Sequence, residues 1–315
     1  MNLLESLRYL AALEQHRHFG RAAQACHITQ PALSNALRAL ERDLGVTIVR
    51  RGRQYEGLTP EGEVALAHAH RLLREAESLR QHLASRVDAP SGGLLIGAVP
   101  TAVPIATRFA ARLQARHPGL RPVVRSLASH EIEDGLDTLA LDIGLGFSDR
   151  QEVSARALSV LPQYEEHCFL LCRADGAAAP FAFGPPIAWR EAAELPLVLL
   201  TPDMHHRALV DRAFAESGAL PEPALQTNSV LALWVAVLEG GHAAVLPGAV
   251  VDAARGQAGL VARPLHTPVL RTPVALLSHT TAPPTPAQQA ALAMAAEPEW
   301  RLHAAAHSGA LAIAA

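Results

Sequence analysis

The segment from Thr29 to Gly45, TQPALSNALRALERDLG, constrains the fold more than any other stretch of the chain. Thr29 is a natural N-cap, and Pro31 stands in a first turn, where its missing N–H costs nothing. Gly45 is a good C-terminal stop. Between them Leu33, Leu37, Leu40 and Leu44 recur at helical spacing on one face. Gln30, Pro31, Ser34, Asn35 and Arg38 are left on the outward face. A shorter helix precedes it, from near Gly20 to near Ala25, joined through Cys26-His27-Ile28. Leu3, Leu4, Leu7, Leu10, Ala11 and Leu13 predict a first helix to about Gln15. Two short helices joined by a tight turn form a helix-turn-helix, whose second helix can lie in the DNA major groove with its first residues at base edges. Ala22, Ala23 and Ala25 let the pair approach closely. Gln and Asn pair with adenine, and Arg with guanine or phosphate. On these residues alone, a solvated face of a small helical bundle is the competing reading.

The next residues favour DNA. VRRGRQYEGLTPEG, from Val49 to Gly62, is turn-rich, and it gathers Arg50, Arg51 and Arg53 around Gly52. It reads as a β-wing whose guanidiniums lie on the phosphate backbone. Thr59-Pro60-Glu61 then opens a long helix. Ala65, Ala69, Leu72, Ala76, Leu79 and Leu83 alternate spacings of four and three, a heptad seam that predicts pairing with a second copy. SRVDAPSGG, residues 85–93, ends it as a linker. Charge follows the same division. Residues 1–86 hold 12 Arg against 9 acids, while the remainder holds 15 Arg against 21 acids. A basic head on an acidic body suits a polyanion partner for the head alone.

These residues resemble the LysR-type transcriptional regulators. The carriers are FGRAAQACHITQPALSNALRALERDLGVTIVRR and the following LTPEG. The resemblance implies DNA contacts at Gln30, Pro31, Ser34, Asn35 and Arg38, with Arg50, Arg51 and Arg53 at the wing. Val49 stands where the family usually has Phe, which bears on packing under the wing.

Beyond the linker the pattern changes to α/β. Strands LLIGAV, RPVVRSL and LDIGLGF alternate with helices over about 103–116 and from Ser129, read as a cap. LPLVLLT, ALQTNS and HAAVLPG repeat the alternation with helices over about 204–217 and 230–239. This order predicts parallel sheets in two subdomains. The chain is expected to cross between them near 161–164 and return near 264–268. The resulting expectation is an α/β protein in four parts. Residues 1–58 form a winged helix-turn-helix, and 59–90 a linker and dimerisation helix with its hinge. Residues 91–300 form a two-lobed effector domain, like a periplasmic binding protein, of subdomains 91–161 with 268–300, and 162–267. Residues 301–315 form an Ala-rich tail, poorly ordered from about Trp300.

A cleft between such lobes faces helix N-termini, whose free N–H groups favour a small anion. The resemblance places effector contacts at Thr101, Ser129, Thr201 and Asn228, residue types that also serve as plain helix caps. GAVPTAVPIATRF and LTPDMH resemble a subgroup found beside formate dehydrogenase genes, which suggests formate or another small carboxylate. Cys168 and Cys172 share one face of a strand in EEHCFLLC; core packing is the ordinary reading and a thiol sensor the alternative. The His pairs 16/18, 68/70 and 205/206 lack metal-site partners, so neither metal nor cofactor is expected.

The whole predicts a regulator and not an enzyme. It acts in the cytoplasm, binds an interrupted inverted repeat in double-stranded DNA, and pairs through residues 59–86 into a dimer and then a homotetramer. RNA polymerase is a further partner, and the membrane is not. An exported solute-binding protein or two-lobed enzyme with an accidental helical head is the rival class, disfavoured by a first segment without a signal-peptide pattern.

Overall fold

The computed structural model describes residues 2–52, 55–84, 90–174, 179–280 and 282–309. It forms two compact units, residues 1–88 and most of residues 89–315. In the first, α1 (Leu3–His16), α2 (Phe19–Ala25) and α3 (Gln30–Leu44) pack together. Each start is capped locally. Asn2 Oδ1 accepts from Glu5 N–H, His18 Nδ1 from Arg21 N–H, and Thr29 Oγ1 from Ala32 N–H. Gly45, at φ 70°, ends α3 in the left-handed region that glycine enters without penalty. Leu10, Leu13, Leu33, Leu37 and Leu40 are sealed in the core, with Ala22 and Ala23 at the helix contact. Leu44, at the end of the same stripe, is 48% exposed.

β1 (Val49–Arg51) and β2 (Tyr55–Leu58) pair antiparallel, Val49 opposite Leu58. Val49 is buried, so its alternation turns Arg50 outward. Arg53 and the Arg51 side chain lie outside the described residues. α4 (Pro60–Ala84) follows. Thr59 Oγ1 accepts from Gly62 N–H at 2.9 Å and donates to Thr47 O at 2.6 Å. A Cβ on Gly62 would stand 2.2 Å from the Ile48 carbonyl oxygen, so only glycine fits this crossing. The anticipated seam divides. Ala69 is buried in the head's own core, with Ala65, Leu66 and Leu73 packed beside it. Leu72, Leu79 and Leu83 stay 46%, 60% and 80% exposed. Both faces satisfy the same spacing, and the small residues went to the nearer partner.

The second unit starts with β3 (Gly92–Ala98), a 3₁₀ turn at Pro100–Ala102, α5 (Val103–Arg116), β4 (Leu120–Ser126), α6 (Ser129–Asp137), β5 (Ile143–Phe147) and α7 (Gln151–Ala155). β6 (Leu158–Arg173) leads to the second lobe. That lobe holds β7 (Ala182–Phe183), β8 (Ile187–Ala188), α8 (Trp189–Ala192), β9 (Leu197–Leu200), α9 (His205–Glu216), β10 (Leu225–Thr227), α10 (Val230–Gly240), β11 (Ala243–Pro247), α11 (Gly248–Ala253) and β12 (Leu260–His266). β13 (Arg271–His279), α12 (Pro286–Ala296) and α13 (Pro298–Ala306) return to the first.

The first lobe's strand order is β4-β3-β5-β13-β6; in the second, β10-β9-β11 lead to β6, with β12 on its other edge. β3, β4 and β5 are parallel, as are β9, β10 and β11. The crossing does not fall at 161–164. β6 is one unbroken strand of 16 residues. It pairs with β13 as far as His167, opposite Arg271, and with β11 from Cys168, opposite Pro247. The C-terminal expectation is also corrected. Trp300 is 1% exposed inside α13, packed edge-on to Phe109 at 5.0 Å, and the described chain continues to Gly309. An aromatic side chain of that size buries enough apolar area to fix an otherwise Ala-rich helix. Among the described residues no helix is long and apolar enough to cross a membrane.

Candidate DNA-reading face and effector cleft

On α3 the apolar stripe is consumed by the core, and the opposite side is open. Gln30, Pro31, Asn35 and Arg38 are exposed and Ser34 is half-buried. Residues 31, 34, 35 and 38 follow one face by the i, i+3, i+4, i+7 rule. Arg50 is exposed on the wing. Glu41, on the same helix, accepts from the Ile48 and Val49 N–H groups at 3.0 and 3.1 Å, which sets the strand against the end of α3.

In the second unit, the C-terminal ends of β3, β4 and β5 face the end of β9 across a cavity of about 240 Å³. Thr101 and Ser129 line it. Thr101 is 2% exposed, and its hydroxyl has no hydrogen-bond partner. Ser129 is the first residue of α6 and not its cap; Glu131 accepts from the Ala128 N–H at 2.8 Å instead. The other two expected contacts are not in the lining. Thr201 lies between Leu200 and Pro202, which do line the cavity, but its own hydroxyl is buried and unpartnered. Asn228 is exposed and belongs to a separate groove with Pro104 and Trp234. Ser229 caps α10 by accepting from Ala232 N–H.

The chemistry of the cleft comes from Arg150 and Glu133, which the sequence reading passed over, and from His205, weighed there only as a metal ligand. Arg150 Nε donates to Glu133 Oε1 at 2.6 Å, and Glu133 is 2% exposed. Across the gap, Arg150 Nη1 meets His205 Nδ1 at 3.2 Å. The His205 ring packs on Phe147 at 4.9 Å, and its Nε2 is buried without a partner. Burial, then the Arg150 charge, hold His205 below the usual histidine range. His206 is fully buried beside it and is pulled down to about 4 by burial and by His205. Arg207 faces away, donating to Leu200 O at 2.6 Å and to Asp211 at 2.7 Å, so it anchors the start of α9. Beneath the cleft, Cys168 Sγ lies 4.0 Å from His206 Nε2, and burial raises its thiol far above the ordinary value. Cys172 belongs to the same apolar cluster. Among the described residues no group of three or more His, Cys, Asp or Glu is placed to hold a metal.

A helix-turn-helix head joined to a two-lobed α/β unit with a cleft between its lobes has the architecture of a DNA-binding regulator. The chain belongs to the LysR family of bacterial transcription regulators. The family's helix-turn-helix model matches residues 4–63, and the LysR substrate binding domain matches residues 88–298. The DNA-binding transcriptional dual regulator OxyR of Escherichia coli (strain K12) is 29% identical over 285 residues, covering 89% of this chain and 90% of that one. A full-length cysteine-to-aspartate variant of OxyR from Pseudomonas aeruginosa is 27% identical, with a TM-score of 0.64 over 91% of this chain and 95% of that one. Full-length CbnR complexed with its target DNA shares the fold: TM-score 0.65, 19% identity, 96% and 99% covered. The protein is a regulator and not an enzyme.

Proposed function

We propose that the cleft admits a small organic anion, and that its binding alters how the α3 face and wing engage DNA in the cytoplasm. The observation that carries this is the Arg150 guanidinium at the cavity wall, beside a buried Thr101 hydroxyl that lacks a partner. The start of α6 adds free N–H groups and a favourable dipole. Val99 and Phe147 from one lobe and Leu200 and Met204 from the other add apolar lining. The cavity of about 240 Å³ leaves room for an anion larger than formate. A carboxylate with a short hydrocarbon body fits better.

Gln30, Pro31, Ser34, Asn35 and Arg38 are the proposed base and phosphate contacts, with Arg50, Arg51 and Arg53 on the backbone of an interrupted inverted repeat. The exposed Leu72, Leu79 and Leu83 stripe is the proposed contact with a second copy, two such dimers forming a tetramer. A promoter role brings RNA polymerase within reach. OxyR relatives carry the name hydrogen peroxide-inducible genes activator, but a thiol sensor is poorly supported here. No cysteine lines the cleft, and the Cys168 thiol is buried and stays protonated. The test is a thermal-shift screen of the full-length protein against small carboxylates and, separately, peroxide. A carboxylate that raises the melting point and shifts promoter affinity supports the reading. A response to peroxide alone, lost in Cys168→Ser, refutes it.

A further inference from the structure

Arg150 reaches from one lobe to the other. Its Nε and Nη2 sides are committed to the buried Glu133 and, at 3.4 Å, to Glu152, whereas its Nη1 donates to a neutral imidazole nitrogen, His205 Nδ1. A neutral acceptor leaves that arm of the guanidinium without a counter-charge, which a carboxylate would supply. Two further groups at the same place are unsatisfied. The Thr101 hydroxyl and His205 Nε2 are both buried without partners, which is costly unless a ligand completes them. Resting on the organic-anion reading of the cleft, we infer that the effector's carboxylate displaces His205 from Arg150. One carboxylate oxygen accepts from Arg150 Nη1 and the Thr101 hydroxyl donates to the other. The imidazole is released, and with it the polar contact between the lobes at this wall, while Asp252 still pairs with Arg108 and His307 across them.

His205 is therefore both a place-holder for the anion and a latch. In the empty cleft it keeps Arg150 extended and the lobes tied. The effector then binds the unlatched arrangement in preference to the latched one, which is the differential affinity that any such switch needs. The groups facing His205 are Asp149 and Arg150 before α7, Glu152 on α7, Glu133 on α6, Phe147 on β5 and His206 on its own helix. Burial and Arg150 outweigh the three acids, so the imidazole is neutral at pH 7 and serves as the acceptor. The apolar wall selects acids over their amides only through Arg150, so charge at the carboxyl end is the discriminating feature.

The experiment is calorimetric titration of the full chain with acetate, butyrate and hexanoate, with butyramide as the uncharged control. His205→Ala removes the competitor, and the carboxylate bound best should gain about tenfold in affinity, as expected when a competing state is removed. His205→Gln restores a neutral acceptor and should return the affinity to near wild type. Arg150→Lys keeps a charge for Glu133 but surrenders the second arm, and should lose about tenfold or more. Carboxylate binding with unchanged affinity in His205→Ala overturns the exchange and leaves the cleft reading standing. No carboxylate binding to the wild type overturns both. If His205→Ala does not fold, imidazole ¹⁵N titration of the wild type decides. Added carboxylate should raise the His205 pKa, and an unmoved pKa overturns the exchange.

Discussion

The indole N–H of Trp300 donates to Gln163 Oε1 at 2.7 Å, and both groups are buried. Gln163 also donates to the Ala295 carbonyl at 3.3 Å, so one side chain of β6 ties down both C-terminal helices. Trp300→Ala should destabilise the second unit by about 3–5 kcal/mol, the range for emptying a large aromatic site. Trp300→Phe keeps much of the packing but strands the Gln163 oxygen, at a cost of about 1–3 kcal/mol. Urea denaturation of the two variants should rank them in that order.

Gly62→Ala tests the crossing of α4 over the wing. A methyl group 2.2 Å from the Ile48 oxygen cannot be accommodated without moving backbone. The head should melt earlier and DNA binding should fall, while the melting of the second unit stays at the wild-type level. A wild-type gel shift would show that the crossing is looser than described.

Arg38→Ala should weaken promoter binding by about 1–3 kcal/mol and relax sequence preference if Arg38 reads a base. Arg50→Ala should weaken specific and random duplex about equally and flatten the salt dependence by about one counterion. Gel-shift titrations at several salt concentrations separate the two roles.

The exposed leucines of α4 predict assembly. Leu79→Glu together with Leu83→Glu places charge on a solvent-facing stripe, so the monomer should keep its secondary structure. Light scattering should then report a smaller species than wild type. Unchanged mass would assign self-association to another surface.

Stability should be nearly level up to about pH 6.5, where two opposing slopes cancel, and fall from there to about pH 8. Burial raises Glu166 to about 8, against the Tyr164 hydroxyl bond, which pulls the other way. The unfolded chain ionises that group near about 4.3, so folding holds an extra proton between the two values. Its contribution to stability is full below that window and falls by about 1.4 kcal/mol per unit as pH rises through it. Glu166→Gln should remove this slope. His206, lowered to about 4, acts in the opposite direction. Its contribution is lost as pH drops from about 6.5 toward that value. Denaturation midpoints measured from pH 4 to 9, for wild type and Glu166→Gln, check both arms.

Much of this architecture was legible because its signals are local. Thr29, Pro31 and Gly45 bound α3 through their own backbone chemistry, and the βαβ alternation follows from apolar runs between turns. The cleft was less legible. Polar residues at strand ends mark where a cleft lies, and Thr101 and Ser129 are in it. They do not say which ends oppose one another, so Thr201 and Asn228 fall outside. Arg150 and His205 were missed because their significance is a meeting between residues in different lobes. Trp300 was obscured by the alanines around it, and the crossing point by a strand pattern that runs through the hinge without a break.

That unbroken strand governs how the second unit can deform. Extended backbone has almost no length to give, so β6 cannot slacken between its two halves. Movement of one lobe against the other would have to bend or twist β6, whose pairing with β13 ends at His167 and with β11 begins at Cys168. On the proposed reading of the cleft, its occupancy would be converted into an angle between two stiff plates, a quantity that a neighbour gripping both could register.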